Sequence, residues 1–300
     1  MSDPIVFEDV WRSFGGREVL SGLSLRVQTG EVFALLGRNA AGKSTALNIL
    51  LGFLEPDSGS SSLLGVHSRK LDGATREKIG YVAEGHPLYV SMSVRAAIDF
   101  EAGTRKRFDR KYVEDALARL SIRTSAFIGT LSRGQRAQLS LVFAMAGDPQ
   151  VLVLDDPAMG LDVVMRREFL DAMIDLLGRE GRSVLFSSHI LSDVERIADR
   201  IGILHGGSLV VDATMDDLKR RVQKRFARST DGRPIESDPS LGVLRAKPVR
   251  DGFELTLVDF DAERERALSS RVAFVSEAHS QSLEELFFDF TASTPETKES

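Results

Sequence analysis

One run of residues, Gly37-Arg38-Asn39-Ala40-Ala41-Gly42-Lys43-Ser44-Thr45, has the types and spacing to hold a phosphate chain. It matches G-x-x-x-x-G-K-[ST]. The glycines let the backbone turn its N–H groups toward an anion, and a helix starting behind them adds a dipole of the right sign. Lys43 is placed to reach terminal phosphates, and the Ser44 hydroxyl to hold Mg²⁺. Further on, the apolar run Val151-Leu152-Val153-Leu154 ends in two carboxylates, Asp155 and Asp156, and Ser183-Val184-Leu185-Phe186-Ser187-Ser188 ends in His189. After a phosphate loop, a strand ending in an acid is expected to carry that acid to the metal.

These groups need a scaffold that brings strand ends together. Val32-Phe33-Ala34-Leu35-Leu36, with Glu31 before it, reads as a buried strand running into the loop, and Ala46-Leu47-Asn48-Ile49-Leu50-Leu51 as the helix after it. Strands are also expected at 5–10, 18–27, 60–66 and 79–82. Trp11-Arg12-Ser13-Phe14-Gly15-Gly16 reads as a turn carrying two aromatics. An aromatic near a nucleotide pocket can stack on a base; either Trp11 or Phe14 is equally an ordinary packing residue. Residues 87–147 turn mostly helical, with Ser132 at an N-cap position opening one helix. The basic run around Arg105, Lys106, Arg107 and Lys111 reads as a solvated face, and His67, His86, His205 and His279 as surface or packing residues. His189 differs, because strand ends on one edge of a parallel sheet converge on a ligand crevice. Alternating strands and helices give an α/β fold with a mostly parallel core sheet.

Bulk properties narrow the classes. The chain has 300 residues, 42% of them hydrophobic, enough for one large domain and a smaller one. The formal net charge of -5 lacks the basic footprint of a nucleic-acid binder. With no cysteine, disulfides, zinc–thiolate sites and thiol nucleophiles are excluded. No apolar run is long enough to span a bilayer, and Met1-Ser2-Asp3-Pro4 lacks the features of a signal peptide. A cytoplasmic protein that meets any membrane through a partner is expected.

Taken in order, these motifs resemble the ATP-binding subunit of ABC transporters over residues 4–212. The resemblance assigns residues 37–45 to the Walker A loop and Asp155 to Walker B. Leu131-Ser132-Arg133-Gly134-Gln135 looks like the LSGGQ signature, Ala158-Met159-Gly160-Leu161-Asp162 like the D-loop, and His189 like the switch histidine. Phe14 falls where the family places its adenine-stacking aromatic. The implied fold is a P-loop NTPase cassette, residues 1–213, with an antiparallel β subdomain and a helical subdomain at 87–147. The implied site binds ATP and Mg²⁺, the metal being held by Ser44, Asp155 and Glu84. Two cassettes, expected as a homodimer, pair head to tail, so that the signature of one closes on the ATP of the other. Transmembrane permease subunits take up the resulting motion at the inner face of the cell membrane.

Three positions depart from the family pattern. Ala40 stands where many members have glycine, which matters only if that residue needs a positive φ. Asp156 stands where the family has its general base glutamate, one methylene longer. Glu84 stands at the position of the Q-loop glutamine, adding a carboxylate near the triphosphate. Asp156, His189 and Glu84 are the expected catalytic groups of a slow ATPase; a turn-shaping Asp156 and an exposed loop Glu84 are the plainer alternatives.

Residues 214–300 lie beyond the cassette. A charged helix is expected from Asp216, a linker at 229–240, strands at 253–258 and 272–275 with a helix between them, a terminal helix at 282–290, and a disordered tail at 291–300. This small α+β unit, and the terminal helix in particular, looks like that of exporter-type cassettes. The expected function is therefore the ATPase subunit of an exporter. The alternative is a cassette that closes on ATP but hydrolyses it poorly and regulates a more active partner.

Overall fold

In the computed structural model, residues 3–177, 181–279 and 281–292 are described. The chain divides into two compact units, Met1–Leu209 and Val210–Ser300.

The first unit is built on parallel strands. Arg200–His205, Val32–Leu36, Ser183–Ser188, Val151–Leu154 and Ile79–Val82 lie side by side in that order. Each neighbouring pair is parallel. Val151–Leu154 and Ser183–Ser188 are buried at every position, as a strand covered on both faces must be. Because the pairs are parallel, the C-terminal ends fall on one edge of the sheet. That edge carries Gly37, Glu84, Asp155 and His189 in the loops that follow four of the strands.

An antiparallel sheet orders Arg17–Val27, Ile5–Phe14, Ser58–Leu63 and Val66–His67. Its apolar positions Ile5, Phe7, Leu20, Leu23 and Leu25 join Leu35, Leu47, Ile49 and Leu50 in one buried cluster. Each such side chain contributes about 1.5–3 kcal/mol of burial, so the cluster fixes the apolar face of the Lys43–Leu50 helix against this sheet. The turn expected at 11–16 is shorter than the sequence suggested. Strand pairing continues to Phe14 opposite Arg17, and only Gly15 and Gly16, at φ 58 and 83, make the turn. A two-residue hairpin turn with both φ positive suits the strand twist, and it leaves Trp11–Phe14 within the ladder.

The helices Val94–Thr104, Arg110–Arg119 and Arg133–Met145 fill the expected helical stretch, each opened by a side-chain cap from Ser93, Asp109 or Ser132. In the basic run, Arg105 pairs with Glu101, Arg110 with Asp99 and Lys111 with Asp115, which is how a solvated charged face behaves.

The second unit is a four-stranded antiparallel sheet in the order Val243–Val249, Gly252–Val258, Val222–Ser229, Val272–Phe274. The strand Val222–Ser229 was not expected, and it takes the first residue of the presumed linker. Its polar, basic sequence hides a strand that is central in the sheet and buries Val222 and Ala227. Ala227, Val243, Leu255, Leu257, Leu268 and Val272 form the small core. The terminal helix Leu283–Thr291 opens with a Ser282/Glu285 capping box and buries Leu283 and Leu286. The helix includes Thr291, 6% exposed, where a disordered tail was expected to begin; residues 293–300 of that expected tail lie outside the described residues.

Asp289 ties this helix down. Its buried carboxylate accepts from Thr256 Oγ1 at 2.6 Å, Gln281 Nε2 at 3.1 Å and Arg245 Nη1 at 2.8 Å. Asp289→Ala strands Arg245 and two polar groups, a loss of about 3 kcal/mol. In thermal or denaturant unfolding it is expected to destabilise the C-terminal unit, while the unfolding of the first unit stays unchanged.

Candidate functional site

The phosphate loop is shaped by close backbone approach. Gly42 sits at φ 105, and a Cβ there would lie 2.7 Å from Val19 O and 2.8 Å from Leu20 Cδ2. A Cβ on Gly37 would lie 2.9 Å from Leu204 O. Both positions therefore exclude a side chain. Gly42 is also the N-cap of the Lys43–Leu50 helix and offers no side-chain acceptor. The first N–H groups of that helix thus keep their donor capacity for a ligand. Ala40 does adopt a positive φ, 63. The left-handed region costs a β-carbon residue about 1–2 kcal/mol, so the alanine carries strain that glycine would not.

Lys43 is 8% exposed. Its ammonium donates to Gly37 O at 2.7 Å and Arg38 O at 3.2 Å. Burial pulls its pKa down, and Asp156, Asp155 and Glu84 oppose that by their charge. One buried cation thus faces three carboxylates from two other strand ends.

Asp155 and Ser44 meet: Ser44 Oγ donates to Asp155 Oδ1 at 3.0 Å. Ser187, on the neighbouring strand, donates to the same oxygen at 2.7 Å and accepts the Asp156 N–H at 2.8 Å. One hydroxyl therefore orients both acids. Sequence reading quoted this strand without singling out Ser187; the signal was a pair of serines, Ser187 and Ser188, closing a buried run, and Ser187 is fully buried. Asp156 lies at φ 41, a left-handed turn that aspartate tolerates better than most residues. Its Oδ2 contacts His189 Nδ1 at 2.5 Å, and its Oδ1 is buried without a hydrogen-bond partner. Burial raises the Asp156 pKa, and the His189 hydrogen bond pulls it back. Among the described residues this oxygen has no partner, and a buried acceptor left so costs about 1–3 kcal/mol.

Glu84 is exposed, two residues beyond the Ile79–Val82 strand, and its charge reaches Lys43. Phe14, 46% exposed, ends its strand with the Arg12 guanidinium 4.7 Å from its ring centre. Asn39, Ala41 and Thr45 complete the loop and the first turn of its helix.

The signature segment stands on a different helix. Ser132 caps Arg133–Met145: its hydroxyl accepts the Gln135 N–H, and Gln135 Oε1 accepts the Ser132 N–H, both at 3.1 Å. Leu131 is buried, Gly134 packs where its Cβ would lie 3.1 Å from Met165 Cβ, and Arg133 reaches Gly160 O at 3.4 Å. Asp162 is exposed and caps the helix Val163–Leu177 by accepting the Met165 N–H at 2.9 Å. His86 proves buried, 8% exposed, with its ring 6.3 Å from that of Phe169. It is a packing residue. No hydrogen bond in the first unit joins residues 131–135 or Asp162 to the Lys43–Asp155–Asp156 cluster among the described residues.

A phosphate loop at the head of a parallel sheet, with acids and a histidine at the adjacent strand ends, defines a P-loop nucleotide-binding ATPase. Residues 20–159 match the family model described as ABC transporter. The chain is 34% identical over 221 residues to the ABC transporter ATP-binding protein YtrB of Bacillus subtilis, covering 73% of this chain and 75% of that protein. It is 35% identical over 219 residues to Nod factor export ATP-binding protein I of Rhizobium etli, covering 71% of this chain and 69% of that protein. A solved ATP-binding subunit of an ABC transporter aligns with a TM-score of 0.63 at 28% identity, over 72% of this chain and 92% of that one. The chain belongs to the ATP-binding subunits of ABC transporters and is an ATPase.

Ser187→Ala removes the hydroxyl shared by the two acids. ATP binding is expected to stay within about threefold, because Lys43 and the loop are untouched. Hydrolysis is expected to fall by about tenfold, the value of one or two charge-assisted hydrogen bonds. Fluorescent-nucleotide titration alongside phosphate release checks both halves.

Proposed function

We propose that the chain powers an ABC exporter as its ATP-hydrolysing subunit. The observation that carries this reading is the convergence of Lys43, Ser44, Asp155, Asp156 and His189 at adjacent strand ends, with one Asp156 oxygen left for an external donor. Export as the direction is supported by the name of the Rhizobium relative.

Residues 37–45 bind the triphosphate of ATP, and Phe14 stacks on the adenine. Ser44 and Asp155, which meet at 3.0 Å, would hold Mg²⁺ together with Glu84. An all-oxygen set with a hydroxyl and carboxylates fits that hard cation. The ion supplies charge neutralisation on the terminal phosphates. Asp156 acts as general base on the attacking water through Oδ1, while His189 orients Oδ2. The shorter side chain makes this a slow base, since a displacement of about 1 Å can cost roughly a hundredfold.

Leu131, Ser132, Arg133, Gly134 and Gln135, with Asp162, face the ATP of a second copy in a head-to-tail homodimer. Their separation from the acid cluster within one chain agrees with a site completed by a partner. Among the described residues no helix is long and apolar enough to cross a membrane, so the cassette acts at the inner face of the membrane through a permease. The exposed side chains of Tyr89, Val90, Phe100 and Phe127, just beyond Glu84, suit that contact; Tyr89 and Phe100 stack edge-on at 5.6 Å. Residues 210–300 form an accessory unit.

In single-turnover hydrolysis, Asp156→Asn is expected to slow phosphate release by about a hundredfold or more while keeping ATP affinity. An unchanged rate would remove Asp156 from the mechanism.

A further inference from the structure

Asp193 is a buried charge that the site above does not use. It is 5% exposed, and its Oδ2 is buried with no hydrogen-bond partner. Its other oxygen lies 3.4 Å from Arg166 Nε and takes a long contact from Ser192 Oγ. Burial raises the Asp193 pKa, and Arg166 opposes this most strongly. A buried ion pair with one oxygen unsatisfied adds little stability, and apolar residues would pack as well. What such a pair does supply is a fixed relation between the two elements it joins.

Those two elements matter. Asp193 sits in the short helix Leu191–Ile197, which follows His189 after one residue. Ser188 Oγ accepts the Ile190 N–H at 3.0 Å, so this turn is braced on both sides of His189. Arg166 sits in the first turn of Val163–Leu177, where its N–H donates to Asp162 O at 2.8 Å. That turn is also held by Asp162 capping Met165, by Met165 packed on Gly134, and by Arg133 reaching Gly160 O. A continuous set of contacts therefore runs from the signature helix through residues 160–166 to Asp193, then to His189 and Asp156.

We propose that Arg166 and Asp193 are positioning residues, whose ion pair locks the 160–166 segment to the turn that aims His189 at Asp156. On the hydrolytic reading above, docking of a second cassette against Ser132 and Asp162 then sets the geometry of the hydrolytic pair in the same chain. The two ATP sites of a dimer become coupled through this link.

Two measurements on the full chain test it. In steady-state hydrolysis, Arg166→Gln and Asp193→Asn are each expected to lower kcat about tenfold, with KM for ATP within about twofold, since neither touches nucleotide. Asp193→Glu keeps the charge and should retain most of the rate. The double variant Arg166→Gln/Asp193→Asn should lose no more than either single one, because both break one link. Additive losses, or a fall in kcat that only tracks a drop in folded fraction, overturn the proposal. The second measurement needs no turnover. In amide hydrogen exchange of the nucleotide-free chain, Arg166→Gln should speed exchange at 189–197 and leave the Lys43–Leu50 helix unchanged. Unaltered exchange at 189–197 overturns the link even where the wild type is active. An inactive wild type with faster exchange in the variant overturns the hydrolytic reading and leaves the link standing.

Discussion

A lysine that is 8% exposed cannot remain charged without help, and the site is organised around supplying it. Lys43 is held by two loop carbonyls, Gly37 O and Arg38 O, and by the field of Asp156, Asp155 and Glu84. Those carbonyls are available because the loop curls tightly enough for the ammonium to reach back. The curl in turn needs positions 37 and 42 to have no side chain. The carboxylates are available because four parallel strands end on the same edge. Remove the parallel register and the acids would lie at opposite ends of the sheet, leaving the buried ammonium uncompensated. The sheet order and the buried lysine are thus two sides of one constraint.

The same constraint explains how this helix start differs from its neighbours. Ser93, Asp109, Ser132, Thr214, Asp261 and Ser282 each cap a helix with their own side chain, consuming donors of the first turn. Gly42 does not. Ile190, before Leu191–Ile197, does not either; what sets Gly42 apart is that its uncapped start ends a glycine loop, where an anion can take the place of the cap. Ser132 is intermediate. Its oxygen accepts within the capping box, but its O–H proton is not consumed by that bond and can still donate to a phosphate from another chain.

Much of this was legible in the residues alone. Types and spacing at 37–45 pointed to the phosphate loop and the apolar run before 155–156 to the acids, since those chemistries depend on neighbours in sequence; 131–135 stood out only through the family resemblance. What depended on neighbours in space was not legible. Ser187 was one of three serines in its strand, and only the hydrogen bond to Asp155 on the neighbouring strand end sets it apart. Ala40 gave no sign of its left-handed φ, because backbone angle follows from how the loop closes. Residues 11–14 read as a turn because their mix of polar and aromatic residues resembles one. Cross-strand pairing with 17–23 overrode that local preference. Val222–Ser229 was hidden in the same way, its basic side chains facing acids such as Glu265 across the small unit.

Two of the three departures from the family pattern, Asp156 and Glu84, pull in one direction electrostatically. Asp156 is buried and its pKa raised, while Glu84 adds a further negative charge within reach of Lys43. Bringing a triphosphate into this cluster raises the concentration of negative charge, and Lys43 alone cannot balance it. Two outside contributions can: a divalent cation on Ser44 and Asp155, and the uncapped helix dipole. Both act more strongly as the site closes and water leaves, because Coulomb interactions grow as the local dielectric falls. The same fall in dielectric strengthens the repulsion between the carboxylates and the phosphates, so on the proposed reading closure rewards the cluster only when the cation and the helix start are both in place.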